Sequence, residues 1–175
     1  MKRYSPYALA YAGVLIAMNV VLSRLVSIPI GHSLRISVSS VPVMLGGLWL
    51  GPVFGGAIGF VGDMLGCAFS GYAPNPLITC SAVLTGVIPG LLGSFIRKGA
   101  SVQGKLLRLL PVVAGMMMIT SQGFTTLGIS VMYRLPFGAT WLTRIPQTLL
   151  LIPLNAFLTA VFYDRVRLPN LRENQ

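Results

Sequence analysis

Apolar stretches long enough to cross a lipid bilayer follow one another along almost the entire chain. A helix rises 1.5 Å per residue, so about 20 residues cross the roughly 30 Å hydrocarbon core. Six stretches reach or approach this length: residues 7–26, 36–50, 52–69, 77–96, 106–132 and 141–163. We therefore predict an all-α integral membrane protein in which residues 1–175 form a single domain of six transmembrane helices.

The charge content excludes the common alternatives to a membrane fold. Charged residues make up 9% of the chain and hydrophobic residues 54%, whereas about 25% of residues are charged in a typical soluble domain. A soluble fold would need many more charges on its surface, and disorder requires low hydrophobicity. The net charge of +10 does not indicate nucleic-acid binding, because most basic residues stand in short clusters between the apolar stretches.

The distribution of these basic residues predicts the orientation in the membrane. With six spans, both chain ends lie on one side, and that side carries Lys2, Arg3, Arg97, Lys98, Lys105, Arg108, Arg165, Arg167 and Arg172. The opposite side carries Arg24, Arg35, Arg134 and Arg144. Because positive charge accumulates on the cytoplasmic side of membrane proteins, we predict that both termini are cytoplasmic.

Small residues at regular spacing predict close contacts between helices. Gly47, Gly51, Gly55 and Gly59 recur every four residues, and Gly62 and Gly66 continue the series. Such spacing lets helix backbones approach each other in membranes, so we interpret the series as internal packing. The pair Gly51-Pro52 divides the apolar stretch 36–69 into two spans. It predicts a tight turn there, because proline is well placed at the first position of a helix.

The first span carries a similar pattern of small residues. Ala8 and Ala12 are four residues apart, as are Gly13 and Ala17. The pattern is compatible with internal packing and equally with a surface that contacts a partner helix.

Motifs for catalysis, metal binding and ATP hydrolysis are absent from the sequence. The one histidine, His32, and the two cysteines, Cys67 and Cys80, show no metal-ligand spacing. No phosphate-binding loop of the form G-x-x-x-x-G-K followed by Ser or Thr occurs. Asp63 is the single acid within the spans, fewer than ion-coupled transporters usually carry. We therefore expect no enzymatic activity, no cofactor and no metal.

Polar and aromatic residues collect on the side opposite the termini. Arginines form bidentate pairs with carboxylates, aromatic rings stack on flat rings, and amides form hydrogen bonds with the polar edges of heterocycles. This combination predicts an anionic ligand with a flat heterocycle. Arg134 has a simple alternative, namely contact with lipid phosphate, whereas Arg144 lies inside a span, where a charge is costly. We interpret Asp63 as a structural partner of one of the arginines.

Three stretches of the chain carry a likeness to a known family. They are Leu22-Ser23-Arg24 with Ser27-Ile28-Pro29; Leu34-Arg35-Ile36-Ser37 with Val41-Pro42, Gly47, Gly51-Pro52, Gly55-Gly56, Gly59 and Asp63; and Arg144-Ile145 with Pro153. Together they resemble the substrate-binding S components of energy-coupling factor (ECF) transporters, and most of all the folate-specific branch. The sequence departs from that branch at Ser39-Ser40 and in residues 72–79, which lack its phenylalanines.

The resemblance implies a binding subunit of an ATP-driven vitamin importer in the cell membrane. Such a subunit captures its vitamin outside and delivers it through a separate module, which consists of an ECF transmembrane subunit and two ATPase subunits. Gly13 and Ala17 match the positions at which the family contacts its membrane partner. The folate-specific branch makes folate the expected ligand.

The resemblance and the external placement together suggest roles for the polar residues. The substrate-binding candidates are Arg24, Arg35, Tyr72, Thr79, Gln122, Trp141, Arg144 and Gln147. The arginines would bind the dianionic glutamate tail of folate or the carbonyl edge of its pterin ring. The nitrogens of the pterin ring would form hydrogen bonds with Gln122, Gln147 and Thr79. Tyr72 would stack on the ligand or close over it.

Two other readings remain open at this point. The vitamin could be pantothenate, riboflavin or thiamine, although neutral riboflavin leaves several external arginines unexplained and pantothenate has no ring to stack. The chain could also be a small membrane enzyme or a scaffold subunit. Tight binding without turnover, and uptake that depends on ATPase subunits, would exclude the last reading.

Overall fold

Helices make up nearly all of the secondary structure. The computed structural model describes residues 6–25, 27–30, 34–71, 73–97 and 102–166, with the backbone alone for residues 28–30, 34–36, 97 and 102. The helices are α1 (Pro6–Arg24), α2 (Ser40–Leu50), α3 (Pro52–Ser70), α4 (Pro76–Leu91), α5 (Gly93–Arg97), α6 (Val102–Met117), α7 (Thr126–Tyr133) and α8 (Phe137–Arg165), with a π-helical segment, Met118–Thr125, between α6 and α7.

The predicted all-α class is confirmed, and one short hairpin interrupts the helices. Strands β1 (Ile28–Ile30) and β2 (Leu34–Ile36) pair antiparallel, with Ile28 opposite Ile36. Pro29 restricts Ile28 to extended conformations, and β-branched isoleucines favour strands. The predicted span 36–50 was therefore wrong at its start, because Ile36 belongs to β2 and the helix begins at Ser40.

Within the described ranges, four helices are long and apolar enough to cross a membrane. They are Pro6–Arg24, Pro52–Ser70, Gln103–Tyr133 and Phe137–Arg165, and the third includes the π-helical segment. Helices α2 and α4 are apolar but shorter, with 11 and 16 residues. The last helix begins four residues before the predicted Trp141, while the predicted span 77–96 is divided between α4 and α5.

The predicted turn at Gly51-Pro52 is confirmed. Helix α2 ends at Leu50, and Pro52 is the first residue of α3. Gly51 has φ 100° and ψ 173°, and its N–H donates to the carbonyl oxygen of Gly47 at 3.0 Å. A residue with a side chain rarely adopts this positive φ, so glycine is required where α2 turns into α3.

The glycine series brings α4 against α2 and α3, as the spacing predicts. A β-carbon on Gly47 or Gly55 would overlap the carbonyl oxygen of Gly86, and one on Gly59 would overlap that of Ala82. These backbones are therefore in direct contact. Close contact of this kind supplies van der Waals packing in a membrane, where the hydrophobic effect does not hold helices together.

The exterior of the helices is apolar. Large exposed hydrophobic residues include Tyr7, Leu9, Val53, Phe69, Leu107, Val131, Leu142, Leu149 and Phe157. Fully buried residues include Met44, Ile58, Val113 and Ala156. A surface as apolar as this one is suited to contact with lipid tails rather than with water.

Candidate functional site

A cavity of about 840 Å³ lies at one end of the helices. Its walls include Arg24 at the end of α1, Ser40 at the start of α2, Ser70 at the end of α3 and Asn75 just before α4. The volume is within the range of about 300–1,000 Å³ typical of small-molecule sites. The cavity is therefore large enough for a vitamin-sized ligand.

The wall of the cavity combines charge, hydroxyl groups and apolar surface. Arg24 and Arg144 supply two positive charges against the one negative charge of Asp63. Hydroxyls come from Ser27, Ser37, Ser39, Ser40, Ser70, Ser81, Thr85, Thr120, Ser121 and Thr125. Apolar wall residues include Ile78, Met116, Met117, Ile129, Met132 and Leu151. This composition suits a ligand that carries net negative charge and a flat apolar part.

Arg144 is the most deeply placed charge of the cavity. Its side chain is 5% exposed, although it belongs to the membrane-length helix α8. Its Nη2 donates to Ser121 Oγ at 3.2 Å, which orients the guanidinium. A charge buried within a membrane helix is expensive and marks a functional site unless shown otherwise.

The partner of Arg144 comes from the π-helical segment Met118–Thr125. Thr126 Oγ1 donates to the carbonyl oxygen of Ser121, five residues earlier, at 3.0 Å. A π-helix inserts an extra residue into the turn, and such insertions occur frequently at functional sites. Here Thr120, Ser121 and Thr125 of this segment all line the cavity.

Hydrogen bonds connect the π-helical segment to α4. Ser81 Oγ donates to the carbonyl oxygen of Thr120 at 3.1 Å and shares a 2.8 Å hydrogen bond with Thr125 Oγ1. Asn75 accepts from the N–H of Leu77 at 3.0 Å and donates to the carbonyl oxygen of Gly128 at 3.1 Å. The start of α4 is thus attached to the helix that orients Arg144.

The guanidinium of Arg24 occupies space that is open because residue 66 is a glycine. A β-carbon on Gly66 would lie 2.7 Å from Arg24 Nη2 and 3.1 Å from its Nε. The next glycine of the series, Gly62, similarly accommodates the side chain of Asn19, whose Nδ2 donates to the carbonyl oxygen of Ser39 at 2.8 Å. These two glycines face polar side chains, unlike Gly47 and Gly55, which face backbone.

Asp63 is partly buried and lies on the cavity wall. Its Oδ2 accepts a hydrogen bond from Thr79 Oγ1 at 2.7 Å. Among the described residues, this contact and not an arginine is its hydrogen-bond partner. The side chain of Arg35 is outside the described part of the chain, so the predicted arginine partner of Asp63 remains a prediction.

The structure brings three of the eight predicted substrate-binding residues, together with Asp63, to the cavity. Arg24, Arg144, Gln147 and Asp63 line it. Thr79 and Gln122 are buried but do not line it, and Gln122 Oε1 has no hydrogen-bond donor among the described residues. Trp141 is 38% exposed and is not part of the wall.

Two of the remaining predictions concern side chains outside the described part of the chain, and two concern the surface of α1. Tyr72 is outside the described residues, and of Arg35 the structure describes only the backbone, in β2. Gly13 and Ala17 are exposed on α1, whereas Ala8 and Ala12 are buried.

Sequence reasoning missed several hydroxyl groups of the cavity wall. Ser81 and Thr85 are four residues apart on α4, and Thr120 and Ser121 are adjacent in the π-helical segment. Polar residues at helical spacing within an apolar span were the available signal. That signal is weak, because a serine or threonine can also donate to the carbonyl four residues earlier, as Thr85 does to Ser81 at 2.8 Å.

Comparisons with known proteins find a matching family and similar folds. The family model "ECF-type riboflavin transporter, S component" matches residues 3–167. The chain is similar to the crystal structure of FolT bound with folic acid, with 28% identity, a TM-score of 0.72, and coverage of 94% of this chain and 96% of that chain. The S component for biotin from an ECF-type ABC transporter shares the fold, with 20% identity, a TM-score of 0.64, and coverage of 91% and 89%. Among curated proteins, none matches the chain.

Proposed function

The chain belongs to the family of ECF-type riboflavin transporter S components, and from this premise we propose that its ligand is folate. Members of this family are membrane-embedded subunits that bind a vitamin and work with an ECF module, and they are not enzymes. Family membership alone does not select the vitamin, so we infer it from the chemistry of the cavity.

The buried guanidinium of Arg144 is the observation that carries the folate proposal. Desolvation makes an arginine in a membrane helix costly, so its presence requires a compensating anion or hydrogen-bond network. Folate supplies two carboxylates on its glutamate tail, which are ionised near neutral pH. Arg144 and Arg24 both line the cavity. Each guanidinium group can bind one of these carboxylates through two parallel hydrogen bonds.

Riboflavin is the alternative, because the matching family is described as one of riboflavin transporters. Its flavin ring and ribityl chain are neutral, so they offer no carboxylate to either cavity arginine. The likeness to FolT bound with folic acid extends over 94% of the chain. The charges of the cavity and this likeness support folate over riboflavin.

Equilibrium binding by the purified, detergent-extracted protein distinguishes the two vitamins. We expect folate to bind at least about tenfold more tightly than riboflavin, because one buried charge pair is worth more than 1.4 kcal/mol. Titrations of each vitamin against intrinsic fluorescence measure this ratio, and mass spectrometry identifies any ligand that co-purifies. Equal affinity, or preference for riboflavin, would contradict the proposal.

The proposed topology follows from the two short apolar helices. We place α2 and α4 in the membrane with the four longer helices, which makes six spans with both termini in the cytoplasm. The cavity then opens to the outside of the cell membrane. The vitamin would be delivered through one ECF transmembrane subunit and two ATPase subunits.

The exposed side of α1 is the proposed contact with the ECF transmembrane subunit. Gly13 and Ala17 share this side, and apart from the adjacent part of α1 itself no described atom lies within 4 Å of a β-carbon placed on Gly13. Ala8 and Ala12 face the interior. Of the two small-residue pairs on α1, the exposed pair is therefore the one available to a partner helix.

A Gly13→Leu substitution tests this contact. We expect the variant to bind the vitamin like wild type, because Gly13 is exposed and does not line the cavity, and to lose most uptake in cells with the ECF module. The matched control is Gly115→Leu, at an exposed glycine of α6 that also has open space around it. Uptake is measured with radiolabelled vitamin; equal uptake by the two variants would refute the proposed surface.

A further inference from the structure

A side pocket of about 200 Å³ adjoins the main cavity. Seven residues line both spaces: Arg24, Ser39, Ser40, Asp63, Ile78, Ser81 and Thr85. The side pocket also reaches Gly59 and Gly62 of α3 and Ala82 of α4, which carry little or no side chain. A ring system in the main cavity therefore has a narrow extension in which one polar edge can be held.

Asp63 is the acidic group of this extension. One carboxylate oxygen accepts from Thr79 Oγ1 at 2.7 Å. The carbonyl oxygen of Asn75, at 3.1 Å from the same Oγ1, is a second and longer acceptor for the one hydroxyl proton. Thr79 is 8% exposed, so it holds the carboxylate from the protein side. An ionised carboxylate has about four lone-pair sites and no donor, so most of its accepting capacity remains.

The pterin ring of folate presents a matching set of donors. Its 2-amino-4-oxopyrimidine edge carries an N3–H beside a 2-amino group, which form two parallel donors. A carboxylate accepts two parallel donors in a bidentate pair, as it does from arginine. We propose that Asp63 determines vitamin specificity by accepting these two hydrogen bonds in the side pocket, an inference that rests on folate as the ligand.

The same carboxylate disfavours a flavin. The corresponding edge of riboflavin carries an N3–H between two carbonyl groups, so it offers an acceptor, a donor and an acceptor. A carboxylate opposite this edge meets at least one carbonyl oxygen, and two facing acceptors repel each other. Asp63 thus acts against the competing ligand as well as for the preferred one, which is a common basis of specificity.

An analogue of folate tests the proposal without changing the protein. In 2-desamino-2-methylfolate a methyl group replaces the 2-amino group, so one of the two donors is lost while the glutamate tail is unchanged. We expect wild-type protein to bind this analogue about 10- to 100-fold more weakly than folate, because a hydrogen bond to a charged group is lost. Equal binding of the two compounds would overturn the inference and leave the folate proposal intact.

The Asp63→Asn variant tests the same hydrogen bonds by changing the protein instead of the ligand. We expect its affinity for folate to fall by a similar factor, its preference for folate over the analogue to disappear, and its preference for folate over riboflavin to shrink. The control is Asp164→Asn, the same chemical change at a carboxylate that pairs with Lys105 outside the cavity, and we expect folate affinity within about twofold of wild type.

The outcomes distinguish failure of the folate proposal from failure of the inference about Asp63. If wild-type protein binds no folate, the proposed function fails and the inference fails with it. If wild type binds folate and Asp63→Asn binds it equally well, the inference alone fails. Thermal unfolding of each variant verifies that it is folded; should Asp63→Asn not fold, the comparison of folate with its analogue on wild-type protein decides.

Discussion

Replacing Arg144 with alanine is expected to reduce folate affinity by about two to three orders of magnitude. Removing one member of a buried charged pair costs about 2–5 kcal/mol, and each 1.4 kcal/mol corresponds to a factor of ten. Arg144 is 5% exposed, and Ser121 orients its guanidinium. The ligand carboxylate would therefore lose a desolvated, preorganised partner. Isothermal titration of the detergent-purified variant measures the loss.

The Arg144→Lys variant separates charge from geometry. Lysine keeps the positive charge but lacks the planar fork that binds a carboxylate through two parallel hydrogen bonds. We expect its affinity to lie between those of wild type and Arg144→Ala. Arg134→Gly is the matched control, because Arg134 is exposed, does not line the cavity and has φ 52°, which glycine adopts readily. Wild-type affinity in Arg144→Ala would show that the anion binds elsewhere.

Replacing Gly86 with alanine is expected to disrupt the packing of α3 against α4. A β-carbon at this position would overlap the carbonyl group and the Cα of Gly55. Backbone atoms cannot rotate away as a side chain can, so the two helices must separate. Overpacking of a buried site commonly costs about 1–3 kcal/mol, and we expect the upper part of this range or more. Unfolding in a mixed detergent titration measures the change.

Gly115→Ala is the control for the packing experiment. Apart from the adjacent part of α6 itself, a β-carbon on Gly115 meets no described atom within 4 Å, and the position is exposed. Alanine favours helix over glycine by about 1 kcal/mol, so the control is expected to match or slightly exceed wild-type stability. A second overlapping variant, Gly55→Ala, should behave like Gly86→Ala, because its β-carbon would meet Gly86 and Gly47. If both packing variants unfold like wild type, the close approach of α3 and α4 is incorrect.

Local chemistry made much of the fold predictable. Apolar stretches of about 20 residues are visible without knowledge of their neighbours, because transfer into lipid depends on each segment's own composition. The turn at Gly51-Pro52 was predictable for the same reason, since proline and glycine restrict or extend the backbone at their own positions. The hairpin of Ile28–Ile30 and Leu34–Ile36 was missed because six strand residues inside apolar sequence give too short a signal.

The sequence by itself determined that this chain belongs in a membrane and that glycines would bring its helices together, and it predicted an anionic ligand for the arginines. Only the tertiary structure decided that Arg24 and Arg144 share one cavity and that Thr79 holds Asp63. It also decided that Ala8 and Ala12 face inward while Gly13 and Ala17 face outward. The physical reason is that these relations join residues on different helices, or depend on how a helix is rotated about its axis. Rotation and pairing are set by the packing of the whole set of helices, which no single segment encodes.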